Sequence, residues 1–256
     1  MEVGERKPKI PNDYLDELNN LIVKIQKEGE QNKAFGFFLK INAVSKEYNF
    51  LLITNYNESF TINTDSEIVI EYNNKKTTIN MKNRFFQNFN KDINIYFIEI
   101  IDDDILNDKD NYKFLSFDYL YKNKNEDKDA SYKEYENKNI YSVGNPEILL
   151  PLEEKSSIPS GKIIEINGGE FKYSLDEKLI FSGMPICLYE NRKLLGIQLN
   201  ENKKDWGYFI DYVLKEVEKS FMEYKRNKVI IEESKKGVIK EEIKPEEKKP
   251  EENKPE

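Results

Sequence analysis

The sequence predicts an all-β chain in two halves, followed by one C-terminal helix. Three observations carry this reading. Short apolar or alternating runs recur at fairly even spacing from Leu21 to Leu199, as in a barrel or sandwich. One later stretch switches to helical spacing, with Ile210, Val213, Leu214, Val217 and Phe221 on a single face. Past Lys228 a Lys/Glu/Pro theme takes over, and such a tail cannot bury enough apolar area to offset its ordering entropy.

The elements follow in order. Met1 to Pro11 reads as a mobile leader, and Asn12-Asp13 as the cap of a short helix through Tyr14, Leu15 and Leu18. Leu21–Ile25 is the first strand. Ala34–Ile41 is aromatic and β-prone, and its mid-strand Gly36 predicts a bulge or a close backbone approach. Phe50–Asn55, Glu67–Tyr72, Lys76–Met81 and Ile93–Ile101 continue the first half. Asp102-Asp103-Asp104 closes it as a solvated acidic turn; the spacing and glycine of an EF-hand are missing. Lys113–Tyr121 is expected as a joining strand and Lys122–Asn139 as an exposed polar loop. Ile140–Gly144, Lys162–Ile166, Gly169–Leu175, Ile186–Tyr189 and Leu194–Leu199 are the strands of the second half, and a helix is expected from Trp206-Gly207. The domains are then a leader over 1–20, a β domain over 21–228 and a disordered tail over 229–256. Within the β domain the first half covers about 21–110, the second about 140–200 and the helix about 206–228.

Composition narrows the chemistry. The chain has 256 residues, 38% hydrophobic and 34% charged, with net charge -8. That length suffices for a large core. The negative balance argues against nucleic acid or an anionic membrane as the main partner. No apolar leader and no run of transmembrane length is visible. The single cysteine, Cys187, allows no intrachain disulfide, which fits a reducing, cytoplasmic setting. Flanked by Ile186 and Leu188, Cys187 reads as a small core hydrophobe. Histidine is absent altogether. Imidazole is therefore excluded as base, acid or ligand within this chain, and with one cysteine so are the usual zinc sites. No cofactor and no metal are expected.

The stretch Leu175–Leu199 presents a turn with Ser182-Gly183-Met184-Pro185, an apolar strand, the polar turn Glu190-Asn191-Arg192-Lys193 and a second apolar strand. Upstream, Lys24-Ile25, Gly36-Phe37-Phe38-Leu39-Lys40-Ile41, Leu52-Ile53-Thr54-Asn55 and Ile98-Glu99-Ile100 occur in order. In this ordered set the chain resembles a trypsin-like (chymotrypsin-fold) serine protease domain of the short intracellular type. Members of that type carry a GFFxKI-like strand, an ITNxHV-like strand end, a DITIIEI-like strand and a GSSGSPI-like serine loop. The resemblance covers roughly Leu21 to Lys219. It implies two six-stranded antiparallel β-barrels with a cleft between them, then the helix.

It also implies site positions. The nucleophile position falls on Ser182. The histidine position falls on Asn57, and the aspartate position on Asn94, with Asp92 as the counterpart if the strand carries a bulge. The oxyanion-hole positions fall on Ile180 and Ser182. A serine hydroxyl needs a neighbouring base near neutral pH. The Asn57 amide can hydrogen-bond but cannot take a proton, and Asn94 has no imidazolium to stabilise. Ile180 stands where glycine would supply unusual backbone angles, which a β-branched residue strongly disfavours. Phe181 and Met184 add apolar bulk. The resemblance thus implies a catalytically inactive homologue (a pseudoprotease) that binds peptide or protein. Two alternatives stand beside it. One is a serine hydrolase in which Lys178 or Lys162 serves Ser182. The other is a scaffold acting through its C-terminal tail.

Overall fold

The structure is a computed structural model that describes residues 22–29, 33–43, 46–54, 62–72, 75–89, 95–101, 114–117, 132–142, 160–175, 184–199 and 205–242. The leader and its short helix, the acidic turn at 102–104 and residues 243–256 lie outside the described residues. Packing divides the chain into two units, Met1–Glu218 and Lys219–Glu256.

The first unit holds two β lobes, in agreement with the all-β class. The first lobe is an eight-stranded sheet built from β1 (Ile22–Lys27), β2 (Lys33–Ala43), β3 (Lys46–Thr54), β4 (Glu67–Tyr72), β5 (Lys75–Asn80), β6 (Phe86–Asn88), β7 (Tyr96–Ile100) and β8 (Phe114–Leu115). Its order is β5-β4-β1-β2-β3-β7-β6, with β8 pairing β2 in parallel. Alternation decides which residues meet: Val23, Ile25, Phe38, Leu51, Ile53, Ile68, Ile70 and Ile98 gather in one core. The opposite faces of β2, β3 and β7 are buried as well, through Phe37, Leu39, Leu52 and Phe97.

The two edges of this sheet, β5 and β6, are consecutive in the chain and separated only by residues 81–85. They act as one sixth strand, broken in the middle, whose first part pairs β4 and whose second part pairs β7. This is how the lobe approaches the expected six-stranded barrel while pairing as an open sheet among the described residues. The break is stapled by two buried charged residues. Arg84 Nε donates to the Asn80 carbonyl at 2.5 Å and Nη1 to the Glu99 carbonyl at 3.0 Å. The Glu99 carboxylate accepts from the Phe85 N–H at 3.3 Å, and the Glu99 N–H donates to the Phe85 carbonyl at 2.9 Å.

The second lobe is a closed barrel of β9 (Asn139–Ser142), β10 (Ser160–Asn167), β11 (Glu170–Ser174), β12 (Pro185–Leu188), β13 (Leu194–Gln198) and β14 (Trp206–Phe209), in the order β10-β11-β14-β13-β12-β9. Ile140, Ile163, Phe171, Tyr173, Ile186 and Phe209 fill it. Every residue of β12 and β13 is buried, so this hairpin is covered on both faces. Part of the outer cover comes from the segment leaving the first lobe: Leu194 donates its N–H to the Ser116 carbonyl at 2.7 Å, and Phe117 bridges Leu194.

Three expectations need correction. Trp206-Gly207 is not the helix start; Trp206–Phe209 alternates in burial and closes the barrel between β11 and β13. The helix α1 spans Ile210–Glu242, so 229–242 is helical, past the expected end at Lys228. No proline occurs from Ile210 until Pro245, and Lys, Glu and Ile are all compatible with a helix. Finally, the expected exposed loop 122–139 includes a 3-10 turn at Lys133–Tyr135. Ahead of it Tyr132 is buried, stacked on Phe209 at 4.1 Å, with its hydroxyl 3.0 Å from Asp211 Oδ1. A large ring with a buried acceptor in reach outweighs the polar composition around it.

Of α1, the first unit holds the turns that bury Ile210, Val213, Leu214 and Val217. The second unit, among the described residues, is the remainder of α1, where Lys225 Nζ sits 5.0 Å from the Phe221 ring centroid. No described helix is long and apolar enough to cross a membrane.

Candidate functional site

Asn57, Asp92, Asn94, Ile180 and Ser182 lie outside the described residues, as does Lys178. What the structure describes is the strand framework to which those positions are attached.

On the first lobe, β3 ends at Thr54, and Ile53 pairs with Tyr96 at the start of β7. The chain that leaves β3 towards Asn57 and the chain that enters β7 from Asn94 therefore meet the sheet at the same end of neighbouring strands. β7 begins at Tyr96, so the expected strand over 93–101 starts later. The β6–β7 hairpin narrows to a base where the Phe89 N–H donates to the Ile95 carbonyl at 2.9 Å. Phe89 also reaches the second lobe, meeting Tyr208 of β14 edge-on at 6.4 Å.

On the second lobe, the chain beyond Ser182 is held at two successive carbonyls. The Met184 carbonyl accepts from the Gln198 N–H at 2.9 Å, and the Pro185 carbonyl accepts from Ser142 Oγ at 3.2 Å. Met184 and Ser142 are both buried. Ser142 and Gln198 were not singled out from sequence as anchors. For Ser142 the signal was a polar side chain inside an apolar strand, which is costly unless bonded; Gln198 anchors through its main-chain N–H, which no side chain announces.

Lys162 sits away from this end of the barrel. On β9 it pairs with Asn139, whereas Ile186 pairs with Ser142, three residues along. That is roughly 10 Å along the strand, with β9 lying between the two partners. Its neighbour Ile163 is in the core, so alternation turns Lys162 to the outer face.

Cys187 is the thiol nearest the serine turn in sequence, and burial pushes it up to about 12, with a hydrogen bond from Tyr141 pulling the other way. It is neutral at ordinary pH and so no nucleophile. The Tyr173 hydroxyl is driven upward too, by burial and then by the Asp205 charge. No group of three or more potential metal ligands occurs among the described residues.

No protein-family model and no curated protein matches this chain. Solved structures do. The tobacco vein mottling virus protease matches with a TM-score of 0.42 at 12% identity, over 81% of this chain and 84% of that one. A mutant of the tobacco etch virus protease matches with a TM-score of 0.43 at 13% identity, over 79% and 78%. A catalytically inactive tobacco etch virus protease complexed with substrate gives 0.39 at 13% identity, over 78% and 80%. At these scores the likeness assigns neither chemistry nor a ligand.

Proposed function

We propose that this chain is a degenerate trypsin-like serine protease homologue that captures a peptide or protein and leaves it uncleaved. One observation carries the reading: there is no histidine anywhere in the 256 residues. A serine at the nucleophile position without imidazole keeps its proton near neutral pH. Asn57 offers no basicity, and Ile180 disfavours the backbone angles on which an oxyanion hole depends. Support for the scaffold comes from two successive β lobes and a helix after them. An extended peptide is the natural ligand of such a scaffold, because strand edges and apolar floors take alternate side chains. The single, buried cysteine suits a cytoplasmic setting.

The test is an active-site serine probe, a fluorophosphonate, applied to the folded protein. No covalent labelling is expected. Stoichiometric labelling of Ser182, lost in Ser182→Ala, would overturn the reading and favour a lysine-served serine, with Lys178 the candidate since Lys162 lies on the outer face of the barrel, away from the Ile186 end.

A second reading, a scaffold working through the C-terminal segment, is favoured by the exposure of Val229, Ile230 and Ile231 on α1, each more than half accessible. Pull-downs with and without the residues after Lys228 separate the two. Partners retained after removal exclude the segment as the binding element.

A further inference from the structure

The contacts around Tyr208 form a chain of three aromatic rings. Phe89, at the base of the β6–β7 hairpin, meets Tyr208 edge-on at 6.4 Å with an interplanar angle of 78°. Tyr208, on the barrel strand β14, is stacked on Tyr212 at 5.8 Å and 9°. Tyr212, in the first turn of α1, lies over the turn between β10 and β11. A Cβ placed on Gly169 of that turn would stand 2.4 Å from two atoms of the Tyr212 ring. Four parts of the first unit thus touch in series: the turn at Gly169, the start of α1, the strand β14, and the hairpin that leads to the positions of Asp92 and Asn94.

We propose that Phe89, Tyr208 and Tyr212 are positioning residues that couple the start of α1 to the base of the β6–β7 hairpin, so that a disturbance at the helix start is felt in the first lobe. Aromatic pairs keep narrow preferences of distance and angle. Moving the outer ring removes the stacking partner that holds the middle one, and the middle ring sets the edge contact of Phe89. Gly169 is the handle on this series. Its backbone lies outside the left-handed region, so alanine is tolerated there by the main chain. The added methyl acts by displacing Tyr212. The coupling is independent of whether Ser182 reacts, because it concerns how the end of the hairpin at Phe89 is held and not a bond-making step.

Native-state hydrogen exchange on the full chain reads the coupling directly. The Phe89 amide, bonded to the Ile95 carbonyl, is the reporter. The Glu99 amide, bonded to the Phe85 carbonyl at the other end of the same hairpin, is the internal control. Gly169→Ala is expected to lower protection at Phe89 roughly three- to tenfold, the weight of one aromatic pair, with Glu99 unchanged. In a Tyr212→Ala background, which has already lost the stack, adding Gly169→Ala should change Phe89 no further. Unchanged protection at Phe89 in both single variants, with the protein folded, would overturn the proposal. So would an equal loss at Phe89 and Glu99, which would mean general destabilisation. If Gly169→Ala fails to fold, Tyr212→Ala alone against Phe89→Ala decides: Phe89 protection must fall in the first variant, and Tyr212 ring resonances must shift in the second.

Discussion

Burial raises the Cys187 thiol from 9.0 to about 12, and this fixes both its reactivity and its contribution to pH dependence. A folded value above the unfolded one means the native state holds the proton more tightly. The associated stability is fully present below about 9 and is lost as pH rises towards about 12. Denaturant midpoints measured at pH 8 and pH 11 should therefore fall more in the parent than in Cys187→Ala; equal slopes would show that the thiol does not titrate in this window. A thiol reagent should label the protein only after unfolding. Gly36 gives a second prediction at this scale. A Cβ there would come within 2.3 Å of the Leu52 carbonyl and 2.9 Å of Ile25 Cδ1. Gly36→Ala should cost about 3 kcal/mol in a denaturant titration, by overpacking against backbone that cannot move aside. That close approach was legible in the sequence as a lone glycine in an aromatic strand. The hydrogen bond of Ser142 was not, because its partner carbonyl belongs to Pro185, far along the chain, and only barrel closure brings them together.

Strands were legible because alternation and apolar runs mark them; their ends and their mutual roles were not. The pairing of β5 with β4 and of β6 with β7 depends on how the lobe curls, which no local pattern records. The seam between β5 and β6 rests on Arg84 and Glu99, both buried. Arg84→Met keeps the volume but removes the donors to the Asn80 and Glu99 carbonyls. A loss of about 3 kcal/mol is expected in equilibrium unfolding, and a loss below about 0.5 kcal/mol would mean that the carbonyls find water instead. The helix was legible from its apolar stripe. Its start was obscured because Trp206–Phe209 borders it directly, so a strand period of 2 runs into a helical period with no breaker between.

At the scale of the molecule, the succession of two β lobes and a helix was legible and the resemblance implied a closed six-stranded second barrel, whereas the strand that closes it was read as helix. That closure depends on β14, which pairs both β11 and β13. A chain ending at Asp205 would leave both neighbours with open edges and is expected to show no cooperative thermal transition by circular dichroism. A chain ending at Lys228 keeps β14 and the buried residues Ile210, Val213, Leu214, Val217 and Phe221, and should melt as the full chain does. The positions named from sequence, Asn57, Asn94, Ile180 and Ser182, lie outside the described residues. A missing histidine is a fact of sequence, but the way neighbouring strand ends converge depends on the register of β3 against β7.

The hairpin of β12 and β13, covered on both faces in the folded protein, carries a cost before folding is complete. Ile186–Leu188 and Leu194–Ile197 are apolar, uncharged and free of proline, the composition that joins chains together when exposed. Between them stand Glu190, Arg192 and Lys193, three charges on a solvent-facing turn that can keep two nascent copies apart. This hairpin is thus the stretch most in need of guarding during synthesis, and its guard is built into the turn between its strands.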